Sequence, residues 1–283
     1  MRYPRDVPCR ARSTQRWPSV GGVNSVRGRQ AVRPSPIFLC IVAAFALLAV
    51  LAWRAGPEPS QSDRLILFGF VLTGWVISLC LHEFAHAVLA YYSGDRSVAV
   101  KGYLTLNPAR YANVALSIVL PLLFVLLGGI GLPGGAVYIE QGAIPGRIRH
   151  SLVSAAGPAM NAVFALTLIA IIPRGGAYAA HLLFWSALSY LAFLQVTAVI
   201  LNLLPVPGLD GFTIWEPWLP PNVARLTAQV GSYGFMALLL LLWWGPANRA
   251  FFNLVYHVTS AVGLNSFLIG FGEALFRFWA HNG

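Results

Sequence analysis

The sequence predicts an all-α polytopic membrane protein with about six transmembrane helices and a re-entrant or β-hairpin element near the candidate functional site. Of its 283 residues, 57% are apolar and only 10% are charged, and the mean hydropathy is +0.67. Several runs near twenty residues long carry no charge, which is the length that a helix needs to cross a bilayer. A soluble domain would have to bury several wholly apolar helices at once, so we exclude that class.

Residues 1–34 form a basic tail that we predict to be disordered. The tail holds eight arginines and one acidic residue, Asp6. Such a tail is typical of the cytoplasmic side of a membrane with anionic lipid. We therefore expect a multi-pass protein of the cell membrane, the inner membrane of a bacterium, with its N-terminus in the cytoplasm. An organelle transit peptide is the alternative, but the tail has no amphipathic helical period.

The basic residues lead to two further interpretations. No aromatic or repeated pattern accompanies the tail, so we expect no nucleic-acid partner. Lys101 is the single lysine among 19 basic residues, which we attribute to compositional bias.

Six apolar runs are candidate membrane spans, and they divide the chain into four parts. The predicted spans are residues 37–53, 65–92, 151–172, 181–204, 228–244 and 250–272. The parts are the tail 1–34, the first span with its loop at 35–64, a membrane core at 65–215, and C-terminal helices at 216–283. A polar connector rich in Pro and Trp is predicted at 212–227.

Two stretches inside the core do not look like spans. Residues 97–112 alternate as a strand does, so we predict a short hairpin or edge strand there, although a plain connecting loop explains the pattern equally well. Residues 114–150 contain an apolar run interrupted by proline and glycine. Such breaks favour a re-entrant or surface-lying segment over a complete span.

A parity argument supports that interpretation of 114–150. With the tail inside, the first span runs outward and the span 65–92 returns to the cytoplasmic side. If the span 181–204 also runs inward, then 114–150 must begin and end in the cytoplasm. This topology places 15 basic residues inside and four outside, which agrees with the positive-inside rule.

The chain is organised around His82, Glu83 and His86, which lie within the span 65–92. Two histidines four residues apart share one face of a helix, about 6 Å apart along its axis, and can reach the same ion. With the intervening glutamate they form the H-E-x-x-H arrangement of zinc hydrolases, in which the glutamate is the general base. Ionisable residues inside a membrane span are costly, so a functional role is favoured over polar packing.

Catalytic zinc usually has three protein ligands and one open position. Most acidic residues lie in the tail, in loops or at helix ends, and Glu140 lies in the ambiguous 114–150 segment. Asp210, which follows the span 181–204, is therefore the strongest candidate for the third ligand. The remaining histidines are His150, His181, His257 and His281, and we interpret them as interfacial or packing residues.

Three motifs in order resemble the site-2 protease family of intramembrane zinc metalloproteases, in its compact branch without appended peptide-binding or nucleotide-sensing domains. They are His82-Glu83-Phe84-Ala85-His86, Ala156-Gly157-Pro158-Ala159-Met160-Asn161, and Asn202-Leu203-Leu204-Pro205-Val206-Pro207-Gly208-Leu209-Asp210-Gly211. The stretch Leu104-Thr105-Leu106-Asn107-Pro108 is also similar. The resemblance covers roughly residues 65–215.

The resemblance implies roles for individual residues. One catalytic zinc ion would be bound by His82, His86 and Asp210, with Glu83 as the catalytic base. Asn202 would contact the substrate backbone or support the transition state. Asn161 would be a second polar contributor to substrate binding, with helix packing as the alternative.

The implied activity is hydrolysis of peptide bonds within or near transmembrane segments, as in regulated intramembrane proteolysis. The implied partners are the lipid bilayer and single-span membrane substrates, such as anti-sigma factors or signal-peptide remnants. The residues alone leave two other classes open, a catalytically silent membrane scaffold and an ion or proton transporter. The sequence departs from the family after Asn107-Pro108, where Ala109 and Arg110 follow, and its glycine-rich 114–150 segment lacks a basic, proline-rich loop.

Overall fold

The computed structural model describes residues 32–56, 58–111, 137–173 and 178–281. The α-helices within these ranges are α1 Pro36–Arg54, α2 Gln61–Ser93, α3 Ser97–Val100, α4 Arg147–Ile171, α5 Leu182–Asn202, α6 Asp210–Trp215, α7 Pro221–Trp243, α8 Gly245–Ala261 and α9 Ser266–Phe276. Short 3-10 turns connect several of them. No β-strand occurs in the described ranges.

Four helical segments in the described residues are long and apolar enough to cross a membrane. They are Pro36–Arg54, Gln61–Ser93, Arg147–Ile171 and Ala179–Asn202. They correspond to the first four predicted spans, so the chain is an all-α membrane protein. The total of six spans stays a prediction, and the apolar part of the predicted re-entrant segment lies within residues 112–136, outside the described ranges.

The ends of α2 follow from local chemistry. Ser60 and Asp63 form a capping box, in which the Asp63 N–H donates to Ser60 Oγ and the Ser60 N–H donates to Asp63 Oδ2. At the other end Gly94 adopts φ 133° and its N–H donates to the carbonyls of Ala90 and Tyr91. A glycine in this conformation ends a helix at little cost.

The strand predicted within 97–112 is wrong. Residues Ser97–Val100 form α3, and 3-10 turns follow at Tyr103–Thr105 and Pro108–Arg110. Gly102 and Leu106 have positive φ angles of 79° and 55°, which turn the chain and prevent an extended run. Of the apolar residues that suggested a strand, Val98, Tyr103, Leu104 and Leu106 are buried in a cluster with residues of α2, whereas Val100 is exposed.

Two predictions about the C-terminal third are also corrected. The predicted span 250–272 is two helices, because α8 ends before Gly263, at φ 84°, and Asn265 caps α9 by accepting from the Phe267 N–H. The predicted connector 212–227 is largely helical. Helix α9 packs beside the first half of α2, where Phe276 stacks on Phe68.

The core consists of α2, α4 and α5, which pack against one another. Phe70 contacts Phe184, and further along both helices Gly74 packs on Leu191, so α2 and α5 run in the same direction. Helix α4 runs the opposite way, because its residue Val153 meets His86 of α2, whereas Asn161, two turns later, lies beside the earlier residue His82. The parallel arrangement of α2 and α5 agrees with the parity argument.

Candidate metal centre

The two histidines of the motif lie on one face of α2 and are buried, with 3% and 7% of their surfaces exposed. Nε2 of His82 lies 3.1 Å from Nε2 of His86. The Nδ1 atom of His86 is 2.7 Å from the carbonyl oxygen of Val153 on α4. This contact fixes the ring so that its Nε2 atom points toward His82.

Asp210 reaches the same point from another helix. Its Oδ2 atom lies 3.1 Å from Nε2 of His82 and 3.4 Å from Nε2 of His86. The chain turns back after α5 through Pro205 and Pro207, which cannot continue a helix with its regular hydrogen bonds. Asp210 then begins α6, so its position results from this sharp reversal.

Gly211 makes the reversal possible. A Cβ atom there would meet the backbone of Leu203 and, at 2.5 Å, the carbonyl oxygen of Leu204. Only a residue without a side chain allows so close an approach of two backbone segments. Backbone packing therefore explains why a glycine follows the ligand Asp210.

The donor set fits a zinc ion. His82, His86 and Asp210 are the one group of three His, Cys, Asp or Glu residues among the described residues whose candidate ligand atoms converge, all within 4.8 Å of one another. Two ligands about 2.0–2.1 Å from a tetrahedral zinc ion lie about 3.3 Å apart. The separations of 3.1 to 3.4 Å agree with that geometry.

Gly157 of α4 leaves the room that an ion needs. A Cβ atom at this position would lie 2.5 Å from Nε2 of His82 and would also overlap Nε2 of His86. The glycine surface therefore borders the ligand atoms directly. Any larger residue at this point would fill the space that the two imidazoles and an ion share.

The electrostatics favour a carboxylate at Asp210. Burial by itself raises the pKa of this carboxyl group, but the charges of His86 and His82 and their hydrogen bonds outweigh burial and hold the pKa below its ordinary value. A carboxyl group binds a divalent metal ion in its ionised form, which is the form that these neighbours favour.

Glu83 lies beside the ligands at the wall of an open cleft. Its Oε2 atom accepts a hydrogen bond of 3.0 Å from the backbone N–H of Val137, while Oε1 is buried without a partner among the described residues. The cleft has a volume of about 810 Å³, and its wall includes Glu83, His86 and Asp210. One side of the cleft consists of residues 137–143, which we call the cleft segment.

The two predicted asparagines are both buried. Asn161 lies next to the His82 ring, and its Oδ1 atom and His82 Nδ1 both lack a hydrogen-bond partner in the described ranges. Asn202, at the end of α5, is 1% exposed, and both of its amide atoms are without a partner there. Neither residue is among those found on the described wall of the cleft.

The histidines that we interpreted as packing residues stay away from the site where they are described. His150 contacts the carbonyl of Ile144, and His181 stacks on Trp53. Sequence reasoning missed Val153, Gly157 and the cleft segment as parts of the site. Gly157 belongs to the motif Ala156–Asn161, so its role could have been suspected from the sequence. Val153 acts through its backbone carbonyl oxygen, which no sequence pattern reveals.

The chain is similar to three proteins named zinc metalloproteases. It is 46% identical to Rip2 of Mycolicibacterium smegmatis and 44% identical to Rip2 of Mycobacterium tuberculosis, in each case over 252 residues, 89% of this chain and 96% of the relative. It is 32% identical to YwhC of Bacillus subtilis over 187 residues, 62% of this chain and 81% of the relative. No family model matches the chain, and no solved structure matches it.

The chain therefore belongs to the zinc metalloprotease family that includes Rip2 and YwhC. Together with its apolar helices, this makes it a membrane zinc metalloprotease whose cofactor is zinc.

Proposed function

We propose that the protein is an intramembrane endopeptidase of the site-2 protease type, with zinc bound by His82, His86 and Asp210. One observation carries the proposal. Two of these donors, His82 and His86, lie within a helix that is long and apolar enough to cross the membrane, and Asp210 meets them there. A protease built for soluble substrates has no reason to bear the cost of placing ionisable groups there.

The chain's own residues account for proton transfer. A zinc ion held by these ligands would activate water and polarise the scissile carbonyl. Glu83 Oε1 takes a proton from the attacking water and delivers it to the leaving amine. Val137 holds the other carboxylate oxygen, so the free oxygen keeps a fixed direction during both transfers.

The cleft segment offers a way to hold a substrate in extended form. Residues 137–140 contain no helical turn, and Glu140 has extended backbone angles of φ −82° and ψ 90°. The N–H and C=O of Ile139 make no hydrogen bond in the described part of the chain. A substrate strand could pair with these groups along the cleft.

The substrate class follows from helix geometry. In a helical membrane segment every backbone carbonyl is engaged with the N–H four residues on, so a bond must be unwound before attack. We propose single-span membrane proteins as substrates, including anti-sigma factors or signal-peptide remnants in regulated intramembrane proteolysis. Asn202, with its unpartnered amide, would contact the substrate backbone.

We further propose the bacterial cell membrane as the location, with the basic tail in the cytoplasm. The excess of arginine in residues 1–34 supports this orientation. The site then opens on the cytoplasmic side, where water can reach the cleft. The base Glu83 and the three zinc ligands are grouped beside a cleft. This arrangement does not favour the two alternative functions, a membrane scaffold or a transporter.

The test is cleavage of single-span reporters by purified protein in bilayers, with the zinc content assayed in parallel. Wild type should cut the reporters and hold one zinc. Glu83→Gln should keep zinc and lose cutting by about 10²–10⁴-fold, the usual contribution of a general base. Glu58→Gln, an exposed loop residue, is the matched control and should behave as wild type. Equal cutting by Glu83→Gln would refute the mechanism.

A further inference from the structure

The cleft segment is anchored on its outer side by two charged residues that follow α2. They are Asp95, which is 1% exposed, and Lys101 of the turn after α3. We infer that Asp95 and Lys101 are positioning residues, which hold the cleft segment so that Val137 stays bonded to Glu83 and Ile139 faces the substrate. The inference rests on the proposed function, because it concerns how that site is kept in working geometry.

Asp95 uses both of its carboxylate oxygens. Oδ1 accepts from the N–H of Ser97 at 2.9 Å, and Oδ2 accepts from the N–H of Glu140 at 2.8 Å. The second bond joins the end of α2 directly to the cleft segment across 45 residues of sequence. A buried carboxylate that accepts two backbone N–H groups is a strong, directional anchor.

Lys101 reaches three acceptors with one ammonium group. Nζ lies 2.9 Å from Ser97 Oγ, 3.2 Å from the carbonyl oxygen of Tyr138 and 3.4 Å from Glu140 Oε1. It also lies 4.7 Å from the centre of the Tyr138 ring. The acceptors match the three N–H donors of an ammonium group.

This geometry explains why a chain with 18 arginines has a lysine at this point. An arginine spreads its donors over a planar fork and cannot direct three of them from one nitrogen to acceptors on different sides. The compositional bias that we first invoked predicts arginine here as elsewhere. The contacts of Lys101 therefore give the lysine a structural reason that composition does not.

The anchoring bonds set which way the cleft segment faces. Successive residues of an extended chain present their N–H and C=O groups to opposite sides. Tyr138 and Glu140 bond outward to Lys101 and Asp95, whereas Val137 bonds inward to Glu83. By the same alternation Ile139 presents its N–H and C=O to the inner side, where Glu83 and the cleft lie.

Close packing supports the same arrangement. Gly94, at the end of α2, allows Ala143 to approach, because a Cβ atom at Gly94 would lie 2.5 Å from the Ala143 carbonyl oxygen. The cleft segment is thus held at both of its ends. The exposed pair of Lys101 with Glu140 contributes little by itself, as surface ion pairs usually do. The buried carboxylate of Asp95 and the carbonyl of Tyr138 carry the anchoring.

Amide hydrogen exchange of the cleft segment tests the inference without any substrate. Lys101→Met and Asp95→Asn should raise the exchange rate of the hydrogen-bonded N–H groups of Val137 and Glu140 at least about tenfold, as local opening becomes easier. The matched control is Arg96→Met, because Arg96 is exposed and its guanidinium packs over the Tyr91 ring at 4.1 Å. Unchanged exchange in both anchoring variants would overturn the inference.

Kinetics then separate positioning from general structural support. With reporters that wild type cuts, both variants should keep zinc and lower kcat by about 10²-fold, the cost of a displacement near 1 Å. Lys101→Arg should fail to restore kcat, and full restoration would contradict the inference. If wild type itself cuts no reporter, the proposed function fails, while the exchange experiment still decides the anchoring.

A measurement on the unmodified protein guards against variants that do not fold. Because Lys101 is the single lysine, an amine-reactive ester followed by peptide mapping reports on this side chain alone. We expect Lys101 in the folded protein to react at least about tenfold more slowly than in the detergent-denatured chain, as its three bonds must open first. Equal rates would show that the anchor is not formed.

Discussion

Gly157 lies in direct contact with His82, since a Cβ atom on this glycine would be 2.5 Å from the Nε2 ligand atom. The contact belongs to a repeating pattern on one face of α4. Val153, Gly157 and Asn161 are spaced four residues apart, and they meet His86, both imidazoles and His82 respectively. One helix face therefore orients both histidines and leaves the space between them open.

Gly157→Ala should impair zinc binding although it adds only one methyl group. The methyl group has to displace ligand imidazoles that are packed at native density. We expect zinc affinity to fall at least about tenfold, the scale seen when the surroundings of ligands are disturbed. Isothermal titration of the metal-free protein measures this. Gly270→Ala is the control, because a Cβ atom there has no neighbour within 4 Å, and an equal loss in both variants would contradict the explanation.

Asp210→Asn should release zinc while the fold persists. The amide keeps the volume of the carboxyl group but loses the charge, and it is a far weaker ligand for a divalent cation. Metal content after dialysis should fall from one ion per chain toward zero, and cutting should fall with it. A variant that retains stoichiometric zinc would remove Asp210 from the ligand set.

Most of the site was predictable because motifs with a fixed helical spacing determine it. His82 and His86 had to share a face of α2, and Asp210 was the acidic residue left at a suitable depth. The strand within 97–112 failed because alternation does not reveal the positive φ angles of Gly102 and Leu106. Contacts made by backbone atoms, such as the bond from Val137 to Glu83, depend on tertiary packing and leave no pattern in side-chain types.

Asn161→Leu should weaken zinc binding more than it affects substrate binding. The sequence resemblance assigned Asn161 to the substrate, but the side chain lies beside the His82 ring. A metal-bound histidine needs an acceptor for its second ring N–H, and Asn161 Oδ1 is unpartnered among the described residues. We expect a loss of about 10–100-fold in zinc affinity with KM little changed.

The control for this substitution is Asn253→Leu, an exposed position of α8, which should leave zinc affinity unchanged. Competition with a fluorescent zinc chelator gives the affinity without any cleavage assay. If Asn161→Leu binds zinc as wild type does but has a raised KM, the resemblance is right and the role beside His82 is wrong.

Asn202→Leu should have the opposite signature from Asn161→Leu, because Asn202 makes no hydrogen bond to His82, His86 or Asp210 in the described part of the chain. Asn202 is the last residue of α5, eight residues before Asp210. Its side-chain amide is buried and has no hydrogen-bond partner among the described residues. A buried amide without a partner is costly, so a group that binds only during catalysis explains its presence. We expect kcat to fall by about 10²–10³-fold, as when a donor to the transition state is removed. Zinc content should stay at one per chain and thermal stability should hold or rise. A variant that cuts normally and is more stable would show that Asn202 has no part in turnover.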